Sequence, residues 1–190
     1  VEVASVEWYG GECTHGIAMG LAEKVKASNA DMIIAIGGGK VMDTGKLTAY
    51  GCNLPLITVP TIAATCAAIA AVSVVYNEKG EFIEPFQLGR SPEATVIDTD
   101  VILKAPLRWL AAGLGDTLAK WYEYRVSIVK APKNGLTLGA LANGKLCYDL
   151  IEQFGGPAIE AVKSGEYHEA LDSAVDAIIL YAGTASLLGG

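Results

Sequence analysis

Positive charge is scarce in this chain: 14 lysines and arginines stand against 21 aspartates and glutamates, for a formal net charge of -7. A protein that neutralises a phosphate backbone needs the opposite sign, so nucleic acid is not an expected partner. Cysteines are few, at Cys13, Cys52, Cys66 and Cys147, and no pair has CxxC spacing. That argues against a zinc knuckle or a redox pair and makes reduced thiols in the cytosol the simplest account. The opening VEVASVEWYGGEC has no initiator Met and no basic region followed by an apolar run. It does not read as a signal peptide, and the chain is expected to begin after processing or inside a longer protein. Internal repeats and low-complexity linkers are absent from the sequence.

Charge of either sign is missing from Leu47 to Asn77. A membrane span needs about 20 apolar residues, so the length alone would allow one. Gly51, Asn53, Pro55, Pro60 and Thr61 instead punctuate the run into a turn, a short strand and a loop, and no Lys/Arg cluster flanks it. A membrane is therefore not an expected partner.

What is present is hydrophobic substance, 52% of 190 residues, enough for a sizeable core. Val1 to Trp8 alternates as a strand does, and a helix follows with Thr14 as its N-cap and Ile17, Leu21 and Val25 on one face. Met32 to Ile36 and Leu54 to Val59 read as buried parallel strands, separated by a helix over Lys40 to Tyr50. Thr61 to Ala71 is open between loop and helix. Ser73 to Tyr76 and Glu81 to Phe86 read as a hairpin around Asn77-Glu78-Lys79-Gly80, and Ala94 to Asp98 as a last strand. Beyond Pro106, a first-turn helix residue, no strand is evident; Leu171, Val175, Ile178 and Ile179 share a helical face, and Pro157 suits the start of a short helix. The expected architecture is an α/β, dinucleotide-binding parallel-sheet domain with a β-hairpin over residues 1–104, followed by an all-helical domain over 105–190, both partial.

Three stretches carry candidate chemistry. In IGGGKVMDTGK, Ile36 to Lys46, three glycines lie where a strand meets a helix, so a ligand can approach backbone N–H groups at the positive end of the helix dipole. Phosphate suits that place, although the pattern is neither GxxxxGK[ST] nor GxGxxG, and a tight turn with a solvated lysine reads equally well. VPTIAATCAAIAAVSVVY, Val59 to Tyr76, begins at the carboxyl end of a strand, where α/β proteins bind ligands; a packed small-residue helix is the plainer reading. In LAAGLGDTLAKWYEY, Leu110 to Tyr124, Gly113 and Gly115 are expected to break the helix before Asp116, which is then either an N-cap or a metal ligand facing a cleft.

Taken together, GGGKxxDT, VPTIAATCAA with SVVY, and APxRWLAAGLGDTLAKWYE resemble the glycerol-dehydrogenase-like branch of the iron-containing (group III) alcohol dehydrogenases, nearest to the hydroxycarboxylate dehydrogenase A subgroup. The resemblance runs nearly the whole chain, with order and spacing kept. It implies that Gly37, Gly38, Gly39, Lys40 and Val41 hold the pyrophosphate of NAD or NADP, with Asp43 nearby. It also implies that Thr61, Ile62, Ala63 and Ala64, with Val72 and Tyr76, flank the nicotinamide half. Asp116 is implied as a ligand of a divalent metal, zinc or iron, and so as a catalytic and substrate-contacting residue. The metal would act as a Lewis acid in a hydride transfer on a small molecule.

The family's other metal ligands are two histidines further along, and neither His15 nor His168 matches them. The sequence stops at Leu187 to Gly190, where the first histidine helix would begin, so the chain looks like a middle section, inactive alone and homo-oligomeric when full length. Where glycerol dehydrogenase has a substrate-contacting Asp this chain has Cys66, and where it has a cofactor-contacting Ser this chain has Ala70. A 2-hydroxy acid and its 2-oxo form are therefore the expected substrates. Glycerol or another polyol is the alternative within the family, and a non-catalytic nucleotide-binding module the alternative outside it.

Overall fold

The structure is a computed structural model and describes residues 2–188. The chain divides into two compact units, one formed by the chain up to Pro60 and by Ala71–Val96, the other by Thr61–Ala70 and the chain from Ile97 onward. The expected α/β architecture with a parallel sheet, a hairpin and a helical part is what the chain adopts.

In the first unit, α1 (His15–Ser28) begins where the Thr14 side chain accepts a hydrogen bond from the Ile17 N–H at 3.1 Å. It ends on Asn29 in the left-handed conformation. β1 (Ile33–Gly37), α2 (Gly39–Cys52) and β2 (Leu56–Pro60) follow. β1 and β2 pair in parallel from Ile33 opposite Leu56 to Gly37 opposite Pro60, and β5 (Ala94–Thr95) pairs on the far side of β2. β3 (Val72–Tyr76) and β4 (Phe82–Gln87) form the expected antiparallel hairpin, closed where the Gly80 N–H meets the Asn77 carbonyl at 2.9 Å. Cys13, Ala18, Leu47, Val75 and Leu88 make the buried core that joins α1 and α2 to the hairpin.

Three strand expectations need correction. Residues 2–9 form no strand, and Val3, Val6 and Trp8 are exposed; Val1 lies outside the described residues. Alternation marks a face that wants burial, but a strand exists only where another pairs with it, and none of the described residues pairs here. β1 is parallel as expected but buried on one side alone. Ala35 faces inward, whereas Ile34 and Ile36 are exposed because no described helix covers their face. β5 stops at Thr95 because Asp98 turns to cap α3 (Thr99–Leu103), accepting from the Asp100 N–H at 3.0 Å. The charge-free run is likewise not one span: it is divided among the end of α2, β2, a loop and β3.

The second unit is helical from α3 through α4 (Leu107–Ser127), α5 (Gly135–Ser164), α6 (Glu169–Val175), a π-helical stretch (Asp176–Tyr181) and α7 (Ala182–Leu187). Gly189 and Gly190, at the expected start of a histidine helix, lie outside the described residues. α4 runs unbroken through Gly113 and Gly115. A Cβ on Gly113 would sit 2.0 Å from the Ala63 carbonyl oxygen, so this glycine serves close packing and not helix termination. Pro157 lies inside α5 instead of starting a helix. It stands on the exposed side next to Gly156, and Gln153, whose carbonyl loses its helical partner to the proline, is exposed too. Leu171, Val175, Ile178 and Ile179 are buried together, as their shared face implied. The run Glu169–Leu187 is long and apolar enough to cross a bilayer, yet more than half of it is buried within the protein, as in a core helix.

Candidate active site

The carboxyl ends of β1 and β2 lie side by side, Gly37 opposite Pro60. This is the end of a parallel sheet at which α/β proteins bind ligands. Gly37 has φ +156°, and a Cβ there would be 2.6 Å from Val41 Cγ2, so both backbone and packing require glycine. Gly38 is the N-cap of α2 and offers no side chain to the helix; its carbonyl accepts from the Val41 and Met42 N–H groups, each at 3.0 Å. The first N–H groups of α2 are thus left without a capping side chain, at the positive end of a 14-residue helix.

Lys40 stands on this first turn with its ammonium 2.6 Å from Glu12 Oε2 and 6.0 Å from the centre of the Tyr76 ring. The Glu12 hydrogen bond holds the ammonium above its ordinary pKa. Asp43 is turned elsewhere. It is buried, its carboxylate 2.8 Å from Lys46 Nζ and accepting from the Val74 N–H at 3.2 Å, while Lys46 donates to the Val72 carbonyl. Burial raises the Asp43 carboxyl, and Lys46 and the Val74 N–H offset part of that. Asp43 and Lys46 therefore fasten α2 to β3 and set Val72 and Tyr76 relative to the glycine turn.

The remaining candidates belong to the helical unit. Thr61–Ala70 is a loop of turns, which settles the choice left open between loop and helix. Ala63 is buried with its carbonyl against Gly113; Thr61, Ile62 and Ala64 are half-buried. Cys66 is 9% exposed, and its carbonyl accepts from the Ile69 and Ala70 N–H groups. Asp116 sits mid-helix in α4 with its side chain 41% exposed, so it is not an N-cap. Its Oδ2 lies 3.4 Å from the ammonium of Lys120, one turn on, whose side chain is only 15% exposed. Burial by itself would lower the Lys120 ammonium, but its interactions with Cys66 and Asp116 together outweigh that and hold it above its ordinary value. Tyr124 and Cys147 lie buried nearby; burial raises the Tyr124 hydroxyl and pushes the Cys147 thiol up to about 12.

Neither histidine joins Asp116. His15 pairs with Glu84 at 2.9 Å on the hairpin, and His168 is the N-cap of α6, its Nδ1 accepting from the Ala170 N–H. Among the described residues no three His, Cys, Asp or Glu side chains converge. Divalent sites of this kind take about three protein ligands, so Asp116 fits as one ligand and does not make a site alone. Two functional candidates went unnoticed in the sequence, Glu12 and Lys120. The first is 28 residues from its lysine, a distance no local pattern spans. The second carried a usable signal, a lysine four residues after Asp116 in a stretch otherwise small and apolar.

A parallel α/β unit with a bare helix N-terminus beyond its first strand places this chain among the α/β proteins whose ligands lie at the carboxyl ends of the strands. Residues 1–99 match the sequence model of the family described as iron-containing alcohol dehydrogenase, and the chain belongs to that family. It is 38% identical over 186 residues to glycerol dehydrogenase of Thermotoga maritima, covering 96% of this chain and 51% of that protein. It is 33% identical over 180 residues to hydroxycarboxylate dehydrogenase A of Escherichia coli, covering 94% and 49%. A crystal structure of a probable glycerol dehydrogenase from Sinorhizobium meliloti superposes with a TM-score of 0.88 at 31% identity, covering 94% of this chain and 52% of that one. The chain spans about half the length of the curated relatives it matches.

Proposed function

We propose that this chain is part of a metal-dependent NAD(P) oxidoreductase that interconverts a small 2-hydroxy acid and its 2-oxo acid by direct hydride transfer. The observation that carries the reading is the glycine turn: Gly37 in a conformation only glycine favours, followed by α2 with no side-chain cap. Backbone N–H groups and the helix dipole there suit a pyrophosphate. Lys40 adds a cation beside it, and Val41 packs under Gly37 to fix the turn. Asp43 acts from behind, keeping the hairpin residues Val72 and Tyr76 in place. Thr61 to Ala64 are assigned to the nicotinamide half by the family motif. Asp116 is assigned as one ligand of zinc or iron, a group that when bound supplies Lewis-acid polarisation of the substrate oxygen. Cysteines that form no disulfide among the described residues support a cytoplasmic setting, and a homo-oligomer is proposed for the full-length protein.

The substrate class rests on Cys66, a thiol where the polyol enzymes place a carboxylate. Oxidation of glycerol or another polyol is the second reading, supported by the 38% identity to a glycerol dehydrogenase.

The experiment is Gly38→Val in the full-length enzyme. Gly38 has φ -89° and ψ -172°, an extended conformation valine adopts freely, so the substitution adds bulk beside the N–H groups without straining the backbone. Calorimetry should show dinucleotide binding lost. Unchanged cofactor affinity would remove the basis of the proposal.

A further inference from the structure

We infer that Lys120 is the residue that receives the substrate's carboxylate, which makes the helical unit a site for small monoanionic 2-oxo acids. The inference rests on the 2-hydroxy acid reading and assigns its charge recognition to a side chain.

An aspartate and a lysine four apart on a helix form an ion pair readily at the surface, with both groups in water. This pair is built differently. Asp116 stays 41% exposed, while Lys120 is drawn inward until its side chain is 15% exposed. Withdrawing an ammonium from water is costly, and the contact that compensates it is long, 3.4 Å. Asp116 is the one ionic partner of Lys120 among the described residues. Cys66, Glu123 and Cys147 also bear on it, and among the described residues no second carboxylate lies within ion-pair distance. An ammonium carries three donors, and one distant carboxylate oxygen leaves donors unused. Any share of Asp116 given to a metal reduces the counter-charge further.

A substrate carboxylate supplies what is missing, a second anion within ion-pair distance of the ammonium. Its carbonyl then lies toward Asp116, the residue assigned to the reacting end. A polyol carries no charge to place there and gains nothing from a half-buried cation. The same geometry explains why a thiol at 66 matters. A carboxylate at that position would occupy the ammonium itself and compete with the substrate.

The test uses two ketones that differ only in the group at issue, 2-oxobutyrate and 1-hydroxy-2-butanone, with Lys120→Met and Lys120→Arg in the full-length enzyme. The ratio of kcat/KM for the acid to that for the hydroxyketone should fall about a hundredfold in Lys120→Met and by no more than about fivefold in Lys120→Arg. The Kd of oxamate, a carboxylate that is not reduced, measured by calorimetry with reduced cofactor present, should rise in parallel. A merely structural lysine would lower both ketones together and leave the ratio and oxamate binding alone, which overturns the inference by itself. Should Lys120→Met fail to fold, Lys120→Gln decides: it keeps a polar head without the charge, so the ratio and oxamate binding must fall there too, and values equal to those of the unaltered enzyme overturn the inference. An unaltered enzyme that reduces the hydroxyketone but neither reduces 2-oxobutyrate nor binds oxamate overturns the hydroxy acid reading and this inference with it. One that reduces 2-oxobutyrate while the ratio ignores Lys120 overturns the inference alone.

Discussion

At the scale of single residues, Cys66 and Lys120 form a charge arrangement that one substitution would reverse. Cys66→Asp places a carboxylate within electrostatic reach of Lys120, in a position 9% exposed. The ammonium then gains a permanent partner, and a substrate carboxylate meets both a filled donor and a like charge. In the full-length enzyme the ratio of kcat/KM for glycerol to that for 2-oxobutyrate should rise at least about tenfold, the equivalent of about 1.4 kcal/mol in transition-state binding. A ratio that does not move means that Cys66 is a packed small residue remote from substrate, and the preference for hydroxy acids over polyols loses its support. Asp43 shows the opposite case. Its place in the glycine motif suggests a nearby cofactor, and in the fold its carboxylate also holds Lys46 and the Val74 N–H, 31 residues away in sequence. A motif position tells which side chain is present, and only the fold tells which way it faces.

At the scale of elements, α4 offers a paired experiment. Gly113 is buried beneath the Ala63 carbonyl, with no room for a methyl group; Gly115 is exposed, with nothing within 4 Å of where its Cβ would be. Gly113→Ala should destabilise by about 2 kcal/mol through overpacking. Gly115→Ala should stabilise by about 0.5–1 kcal/mol, because alanine costs less entropy in a helix. Urea midpoints of the two variants moving in the same direction would contradict the packing described. The pair also shows what the sequence could and could not say. Two glycines before an acid are a fair signal for a helix break, and that signal fails here because one of them serves a contact with a loop 50 residues earlier. Parallel strands β1 and β2, the hairpin and the buried face of the last helical run were legible because each is written in local periodicity and turn chemistry. The strand expected at residues 1–8 had the periodicity without a partner, and Pro157 marks a helix interior that only solvent exposure makes tolerable.

At the scale of the whole molecule, the three-stranded sheet ends at β1, and that strand presents Ile34 and Ile36, the latter 62% exposed, on a face no described element covers. Neighbouring apolar side chains on an edge strand invite association. The 190-residue chain should therefore self-associate in a concentration-dependent way, and Ile36→Lys should reduce that association in light scattering while leaving the helical circular dichroism signal unchanged. Equal scattering from both proteins would place the sticky surface elsewhere. The site was legible at this scale only in halves. The glycine turn is local and announces itself, whereas the grouping of Thr61–Ala70 with the helices of the second unit depends on contacts across more than 40 residues.

The π-helical stretch Asp176–Tyr181 can be described in the language of insertions. A π turn holds one residue more than the α turn it replaces, so an extra residue is accommodated without a loop and without ending the helix. Lengthwise the addition is nearly invisible, and because a full π turn takes one more residue than a full α turn, the bearing of the helix beyond it is nearly unchanged as well. Deleting one residue from this stretch would let the turn close as an α turn, with Ala182, Gly183 and Ala185 still on the buried side. A second deletion would have no spare residue to absorb it and would rotate everything after it by about 100°.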